Sequence, residues 1–332
     1  MTRRSALLVA FSLLLLAGAA LLLPFLLFLQ RPVAPPSPTA VHVPPGTPFR
    51  QVAERLEAAG VVADAGHLRL LARLRGDAHL TQAGEYDFAA AATPGAVLDR
   101  LVSGDVRRLR FTFPEGLTVR EIASRLELEG LATADEVLRL SKEPGFLASL
   151  QVEAASLEGY LFPETYTFDA GTPATKLLQS MVRQFRTHFS EEMVKAAKAV
   201  GLSAHQLVTL ASIIQKEAGN VEEMPLISGV FHNRLRLGMP LQADPTVIYG
   251  IEGFDGNITR RHLNEYTPYN TYRIPGLPPG PIANPGREAL QAAANPATVD
   301  YLFFVSRGDG THQFSATLRE HNAAVRQFQL RR

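Results

Sequence analysis

The chain has 332 residues, a net charge of +1, 20% charged residues and 46% hydrophobic ones, enough for a membrane segment and about two domains. So even a charge balance supplies no basic face for nucleic acid. With no cysteine anywhere, disulfides, thiolate zinc sites and a cysteine nucleophile are excluded.

The first element is an uncharged run, Ala6–Leu29, bracketed by Arg3/Arg4 and Arg31. A secretory signal carries an apolar stretch of about 7–15 residues, whereas a spanning helix needs about 20. The length therefore predicts a retained single-pass anchor over residues 6–29, behind a cytoplasmic tail at residues 1–5. Ala17-Gly18-Ala19-Ala20 is the one cleavage-like run. Arg3 and Arg4 favour an inside N-terminus, with Arg31 opposing. Either way the rest of the chain is expected outside the cytoplasm. Residues 30–40, with Pro32, Pro35, Pro36 and Pro38, read as a stiff, extended spacer.

Two segments then match at an offset of seventy residues, Val41–Val62 and Phe111–Ala132. Pro44 aligns with Pro114, Gly46 with Gly116, Arg55-Leu56-Glu57 with Arg125-Leu126-Glu127, and Gly60 with Gly130. Each unit predicts a short strand, a Pro-x-Gly turn, an amphipathic helix ended by glycine, a second helix, and a Tyr-x-Phe strand (Tyr86/Phe88 and Tyr166/Phe168). A helix after Thr-Pro closes each copy, with proline expected at the first helical position. The order strand–helix–helix–strand resembles the LysM module, a small binder of N-acetylglucosamine-containing glycans. A purely architectural repeat is the competing reading. Tyr86 and Phe88, alternating with Asp87, are expected in a core rather than on a sugar.

Ser203 with Gln206 three residues on is a capping-box signature and starts the next helix. Leu207, Leu210, Ala211, Ile214 and Ala218 recur at helical spacing as one apolar stripe. Glu217, in LASIIQKEAGN (Leu210–Asn220), falls at the border of that stripe. Desolvation there raises a carboxyl's pKa and makes it a proton donor near neutral pH. Spacing alone equally allows an ordinary helix-end glutamate that reaches water, and favours it.

Glu222 and Glu223 read as helix-start charges before Pro225. In LQADPTVIYG (Leu241–Gly250), Asp244-Pro245 reads as a helix N-cap and first residue, with a catalytic role for Asp244 as the alternative. Gln242 has no such structural excuse. Thr267–Gly286 is a long segment dense in Pro, Gly, Asn and Tyr, and a loop of that length is commonly functional. Its Tyr269, Tyr272, Asn270 and Asn284 suit a sugar-binding cleft. The last stretch predicts a buried strand (Tyr301–Val305), a Gly-Asp-Gly turn, a strand with His312 and Phe314, and a closing helix.

The motifs LASIIQKEAGN, VFHNRLRLGMPLQADPTVIYG, YNTYRIPGLPPGPIANPG and YLFFVSRGDGTHQFSATLREHN together resemble the endolytic murein transglycosylases, the YceG-like family, over about residues 41–330. The resemblance implies cleavage of peptidoglycan glycan strands at the outer face of the cytoplasmic membrane, with Glu217 as the catalytic acid. It implies no metal and no organic cofactor. Family members often carry an acid where this chain has Gln215, which weakens any scheme that needs a second carboxylate there. A lytic transglycosylase needs none. Glu217 would protonate the glycosidic oxygen and then take the proton of the N-acetylmuramic acid C6 hydroxyl, leaving a 1,6-anhydro end. Gln242, Asp244, Tyr269, Asn270, Tyr272, Asn284 and His312 are the expected substrate contacts.

The expected architecture is α+β: the anchor, a LysM-like module at 41–106, and a mixed α/β catalytic domain at 107–330. That domain holds a second LysM-like repeat at 107–188 and a catalytic core at 189–330. Expected partners are peptidoglycan strands, the bilayer through residues 6–29, and peptidoglycan synthases. Two other functions compete. One is a two-carboxylate hydrolase of the same polymer with Glu217 and Asp244. The other is a non-enzymatic glycan-binding scaffold for cell-wall synthesis.

Overall fold

A computed structural model describes residue 20, residues 22–251 and residues 253–330. The predicted cytoplasmic tail and, within the predicted anchor, residues 6–19 and 21 lie outside the described residues. The architecture is mixed α and β. Among the described residues the strands form three two-stranded sheets, β1–β2, β3–β4 and β5–β6, and no single helix is long and apolar enough to cross a membrane. The chain divides into one unit of residues 1–110 and 167–172 and another of 111–166 and 173–332. Of the three crossings of the chain between units, those at 110/111 and 166/167 fall within β3 (Arg108–Thr112) and β4 (Thr165–Asp169), and the third follows at 172/173.

In the first unit, β1 (Thr39–Val43) pairs antiparallel with β2 (Gly84–Phe88), Val41 opposite Tyr86. Between them run helices Phe49–Ala58 and Ala65–Arg75, and helix Pro94–Ser103 follows. The strand alternation puts Val41, Val43, Tyr86 and Phe88 inward against Val52, Leu56, Leu68, Leu98 and Leu101. Tyr86 is thus a core residue, as its alternation with exposed Asp87 predicts, and its hydroxyl donates to the Gln82 carbonyl at 2.7 Å. Thr93 caps the last helix with Pro94 at the predicted position. The proline-rich segment is not a free spacer. Val33 and Ala92 exchange both backbone hydrogen bonds at 3.0 Å, because Val33 keeps the N–H that its proline neighbours lack. Residues 22–30 are helical, and Phe25 and Phe28 pack into this unit's core beside His67, at ring distances of 5.9 and 5.3 Å.

The repeat shows in matching local geometry. Gly46 and Gly116 turn the chain at φ of 76° and 77°, a region only glycine enters freely. Helices Phe49–Ala58 and Val119–Leu128 end alike. Val61 donates to Leu56 and Leu131 to Leu126, each at 2.9 Å, with Gly60 and Gly130 left-handed just past the helix end. This is the Schellman ending, and its apolar closing residue is buried in both copies. The copies differ in their last helix. Pro173 is the N-cap of helix Ala174–His188 rather than its first residue, and the Thr172 hydroxyl donates back to Asp169.

The second unit is built around helix Ala204–Glu217. Its Ser203–Gln206 capping box forms as predicted. Its burial exceeds the single stripe expected from spacing: every residue from Leu207 to Ile214 is buried. Thr209 and Ser212 tolerate this because their hydroxyls bond helix carbonyls at 2.8 and 2.7 Å. Ser212 also accepts the Ile282 N–H at 3.0 Å. Helices Met224–Arg236 and Arg287–Ala294 pack against this central helix. The hairpin of β5 (Phe303–Ser306) and β6 (His312–Ser315), then helix Leu318–Phe328, complete the unit.

Candidate active site

Glu217 is the last residue of the central helix, and the chain leaves the helix at Ala218 in an extended conformation. Its half-buried side chain lines a cavity of about 490 Å³ together with Arg234, Gln242, Asp244, Tyr272 and His312. Burial pushes the Glu217 carboxyl up to about 8, the nearby Asp244 charge adds to the rise, and Arg234 opposes it. Among the described residues nothing hydrogen-bonds this carboxyl, so its proton is free for a ligand.

Each neighbour is fixed by contacts distant in sequence. Asp244 does not cap its helix. Ala243 is the N-cap and makes no side-chain bond, and Asp244 is the first helical residue. The Tyr272 hydroxyl instead donates to Asp244 Oδ1 at 2.6 Å. Gln242 stands at φ 53°, one of two non-glycine residues in the left-handed region among those described, which costs about 1–3 kcal/mol unless the surroundings impose it. Here its N–H donates to the Thr271 carbonyl at 3.2 Å and its Oε1 accepts from Arg234 at 3.3 Å. The next turn is locked by Thr246 and Thr271, two buried hydroxyls 2.8 Å apart.

Arg234 is a buried cation that sequence reading leaves inside its helix without a role. Its guanidinium donates to the carbonyls of Leu302, Pro240 and Leu241 at 2.7, 3.2 and 2.9 Å. It also lies 5.1 Å from the Phe303 ring centre. Burial lowers its pKa, but a guanidinium stays charged. One residue thereby ties the β5 hairpin to the Gln242 loop and places positive charge beside Glu217.

His312 is bound by Glu223. Glu223 Oε1 accepts the His312 backbone N–H at 3.0 Å, and Oε2 lies 2.8 Å from Nδ1. Glu223 is the N-cap of helix Met224–Arg236 but makes no side-chain cap bond. Its carboxylate serves the histidine rather than the helix start.

Three predicted contacts lie elsewhere. Asn270 is fully buried, with its amide donating to the carbonyls of His262, Leu263 and Glu265 and its oxygen accepting Tyr272 N–H. Asn284 gives its oxygen to Leu161 N–H and its amide to Leu117 and Glu158. Both asparagines staple loops. Tyr269 packs its ring 4.9 Å from that of Tyr249. Glu158 is a second buried acid. It accepts from Val119 N–H at 3.0 Å, Tyr249 hydroxyl at 3.1 Å and Asn284 at 3.2 Å, and burial pushes it up to about 8. It is absent from the cavity lining and acts as a hub of the scaffold. Gln215, at the family's frequent acid position, accepts Gly286 N–H at 2.9 Å and hydrogen-bonds Glu115, whose carboxyl burial raises. An amide there spares Glu115 a charged neighbour.

The end of the central helix, the β5–β6 hairpin and the Gln242 loop thus place an acid with a raised pKa in a polar cavity beside a second carboxyl, a guanidinium, an amide, a phenol and an imidazole. A profile described as the YceG-like family matches residues 41–327, and the chain belongs to that family. The chain is 32% identical over 318 residues to an endolytic murein transglycosylase of Bacillus subtilis, covering 90% of this chain and 88% of that one. It is 30% identical over 297 residues to an endolytic murein transglycosylase of Streptococcus pneumoniae, covering 80% of this chain but 54% of that longer one. A crystal structure of a yceG-like protein from Listeria monocytogenes is similar with a TM-score of 0.60 and 31% identity, covering 86% of this chain and 98% of that one.

Proposed function

We propose that this protein is a peptidoglycan lytic transglycosylase in which Glu217 is the acid. The reading is carried by the Glu217 carboxyl, half-buried at the helix end, lining a ligand-sized cavity and pushed up to about 8 by desolvation. A carboxyl of that pKa stays protonated near neutral pH and can donate to a glycosidic oxygen. The C6 hydroxyl of the same N-acetylmuramic acid ring attacks its anomeric carbon, so no water is activated and a 1,6-anhydro end forms. Arg234 beside Glu217 offsets the charge left on the carboxylate. Asp244 opposes the positive charge that builds on the sugar ring. Gln242, whose Oε1 is held by Arg234, keeps its amide to donate to an N-acetyl carbonyl.

Asp244 in the same cavity is the one observation that favours a two-carboxylate hydrolase. Mass spectrometry of peptidoglycan digested by the full-length chain in detergent separates the two. Anhydro ends support the lyase, free reducing ends sink it, and Glu217→Gln is expected to abolish both.

We also propose that residues 6–29 anchor the protein in the cytoplasmic membrane with the site outside, where glycan strands and their synthases meet it. Leu22, Leu23, Leu26 and Leu27 are all more than half exposed, as a lipid-facing surface requires. The strand–helix–helix–strand order of the first unit supports a LysM-like glycan module there. Binding of chitooligosaccharides to residues 32–110, or its absence, tests that role.

A further inference from the structure

The Glu223–His312 pair joins the start of helix Met224–Arg236 to β6. Both side chains are largely buried, at 10% exposure for His312 and 15% for Glu223, and 89 residues separate them. One carboxylate holds the backbone N–H and Nδ1 together, which fixes the ring in plane and in tautomer. With Nδ1–H given to a carboxylate, the neutral ring presents Nε2 as an acceptor. Among the described residues no group hydrogen-bonds Nε2, and His312 lines the cavity of Glu217.

The frame that joins the two residues is short and rigid. Asn220 donates to the Gly310 carbonyl at 2.9 Å and accepts Glu223 N–H at 2.9 Å. A Cβ on Gly219 would lie 2.4 Å from the Gly310 oxygen, so only glycine permits this approach. Glu217 precedes Gly219 by two residues, and His312 follows Gly310 by two. One corner therefore presents a protonated carboxyl and a carboxylate-backed imidazole to the same space. Such a pair divides between two groups the proton given to the leaving oxygen and the proton taken from the attacking hydroxyl, which a single glutamate would otherwise handle in turn.

We propose that His312, held by Glu223, is the base that takes the C6 hydroxyl proton at Nε2. This rests on the lyase reading above. The C1–O bond breaks and its electron pair stays on the leaving oxygen, which takes the Glu217 proton. The C6 oxygen bonds C1 and its proton passes to Nε2. The imidazolium, neutralised by Glu223, returns that proton through solvent to the Glu217 carboxylate, so both groups end as they began. Glu217 is then the acid alone, and His312 also selects the ring hydroxyl over water.

The test uses full-length wild type, His312→Ala, His312→Gln and Glu223→Gln on purified glycan strands, with rates and chain ends read by mass spectrometry. His312→Gln keeps a donor for Glu223 and guards against a folding defect. The expected result is a loss of about 100-fold or more in His312→Ala and His312→Gln, a larger share of free reducing ends in their residual products, and partial rescue of His312→Ala by added imidazole. Glu223→Gln is expected to lose less than His312→Ala. Wild-type-like rates and ends in His312→Ala overturn the proposal. So does full activity in His312→Gln, since an amide accepts a hydrogen bond but not a proton. If wild type itself yields free reducing ends, the lyase reading fails instead.

Discussion

Tyr272 donates its hydroxyl to Asp244 Oδ1 at 2.6 Å, and both residues line the cavity of Glu217. Burial and then that bond raise the Tyr272 pKa, so the phenol remains a donor throughout the working range. It orients the Asp244 side chain, and removing the donor should cost about 1.5–3 kcal/mol of charge-assisted bonding. Tyr272→Phe is therefore expected to cut kcat/KM by roughly ten- to a hundred-fold and to lower the melting temperature by several degrees. Unchanged kinetics would show that the bond has no part in turnover.

Asp244 also sets the pH range. Its charge is the second cause, after burial, that raises Glu217, with Arg234 pulling the other way. With Glu217 as the proposed acid, activity should fall as pH rises through about 8. In Asp244→Asn one raising influence is gone, and the fall should move to lower pH. A profile in which the alkaline limb stays put or moves upward contradicts this. If Asp244 were instead a hydrolytic base, Asp244→Asn would abolish cleavage at every pH.

The same buried acid weakens the fold. Its folded pKa lies above the ordinary unfolded value of about 4.3. The native state thus binds the proton more tightly, and its contribution is full below that value and lost as pH rises through about 8. Glu217→Gln has no charge to desolvate. It should raise the melting temperature at pH 8 and leave it nearly unchanged at pH 4, as scanning calorimetry can show. A gain independent of pH would mean that the carboxyl is not desolvated.

Glu158 should behave in the opposite sense. Its oxygens satisfy Val119 N–H, the Tyr249 hydroxyl and the Asn284 amide in a buried place. Glu158→Ala strands all three, and each unsatisfied group costs about 1–3 kcal/mol. We expect a loss of at least about 3 kcal/mol in chemical denaturation. A near-neutral effect would deny Glu158 its role as a hub.

Local features were the legible ones. The Ser203–Gln206 box, the Gly46 and Gly116 turns and the Gly60 and Gly130 endings depend on a few neighbouring residues, and the chain adopts them as its sequence predicts. What escaped prediction depends on partners far along the chain. Asp244 looks like a cap until Tyr272, 28 residues away, claims its carboxylate. Asn284 looks like a sugar contact until Leu117, 167 residues away, takes its amide. Arg234 and Glu223 gave no periodic signal, since a buried charge is recognised only by the carbonyls or the histidine that satisfy it. The full burial of the central helix is hidden in the sequence because Thr209 and Ser212 interrupt its apolar pattern while bonding within the helix.

Desolvation at the helix end raises the Glu217 pKa and so keeps the proposed acid protonated. Carboxyl 13C NMR of glutamate-labelled protein, with Glu217→Gln to assign the resonance, measures it most directly. Glu217 is expected to titrate near pH 8; titration near the ordinary glutamate value of about 4.3 would contradict this.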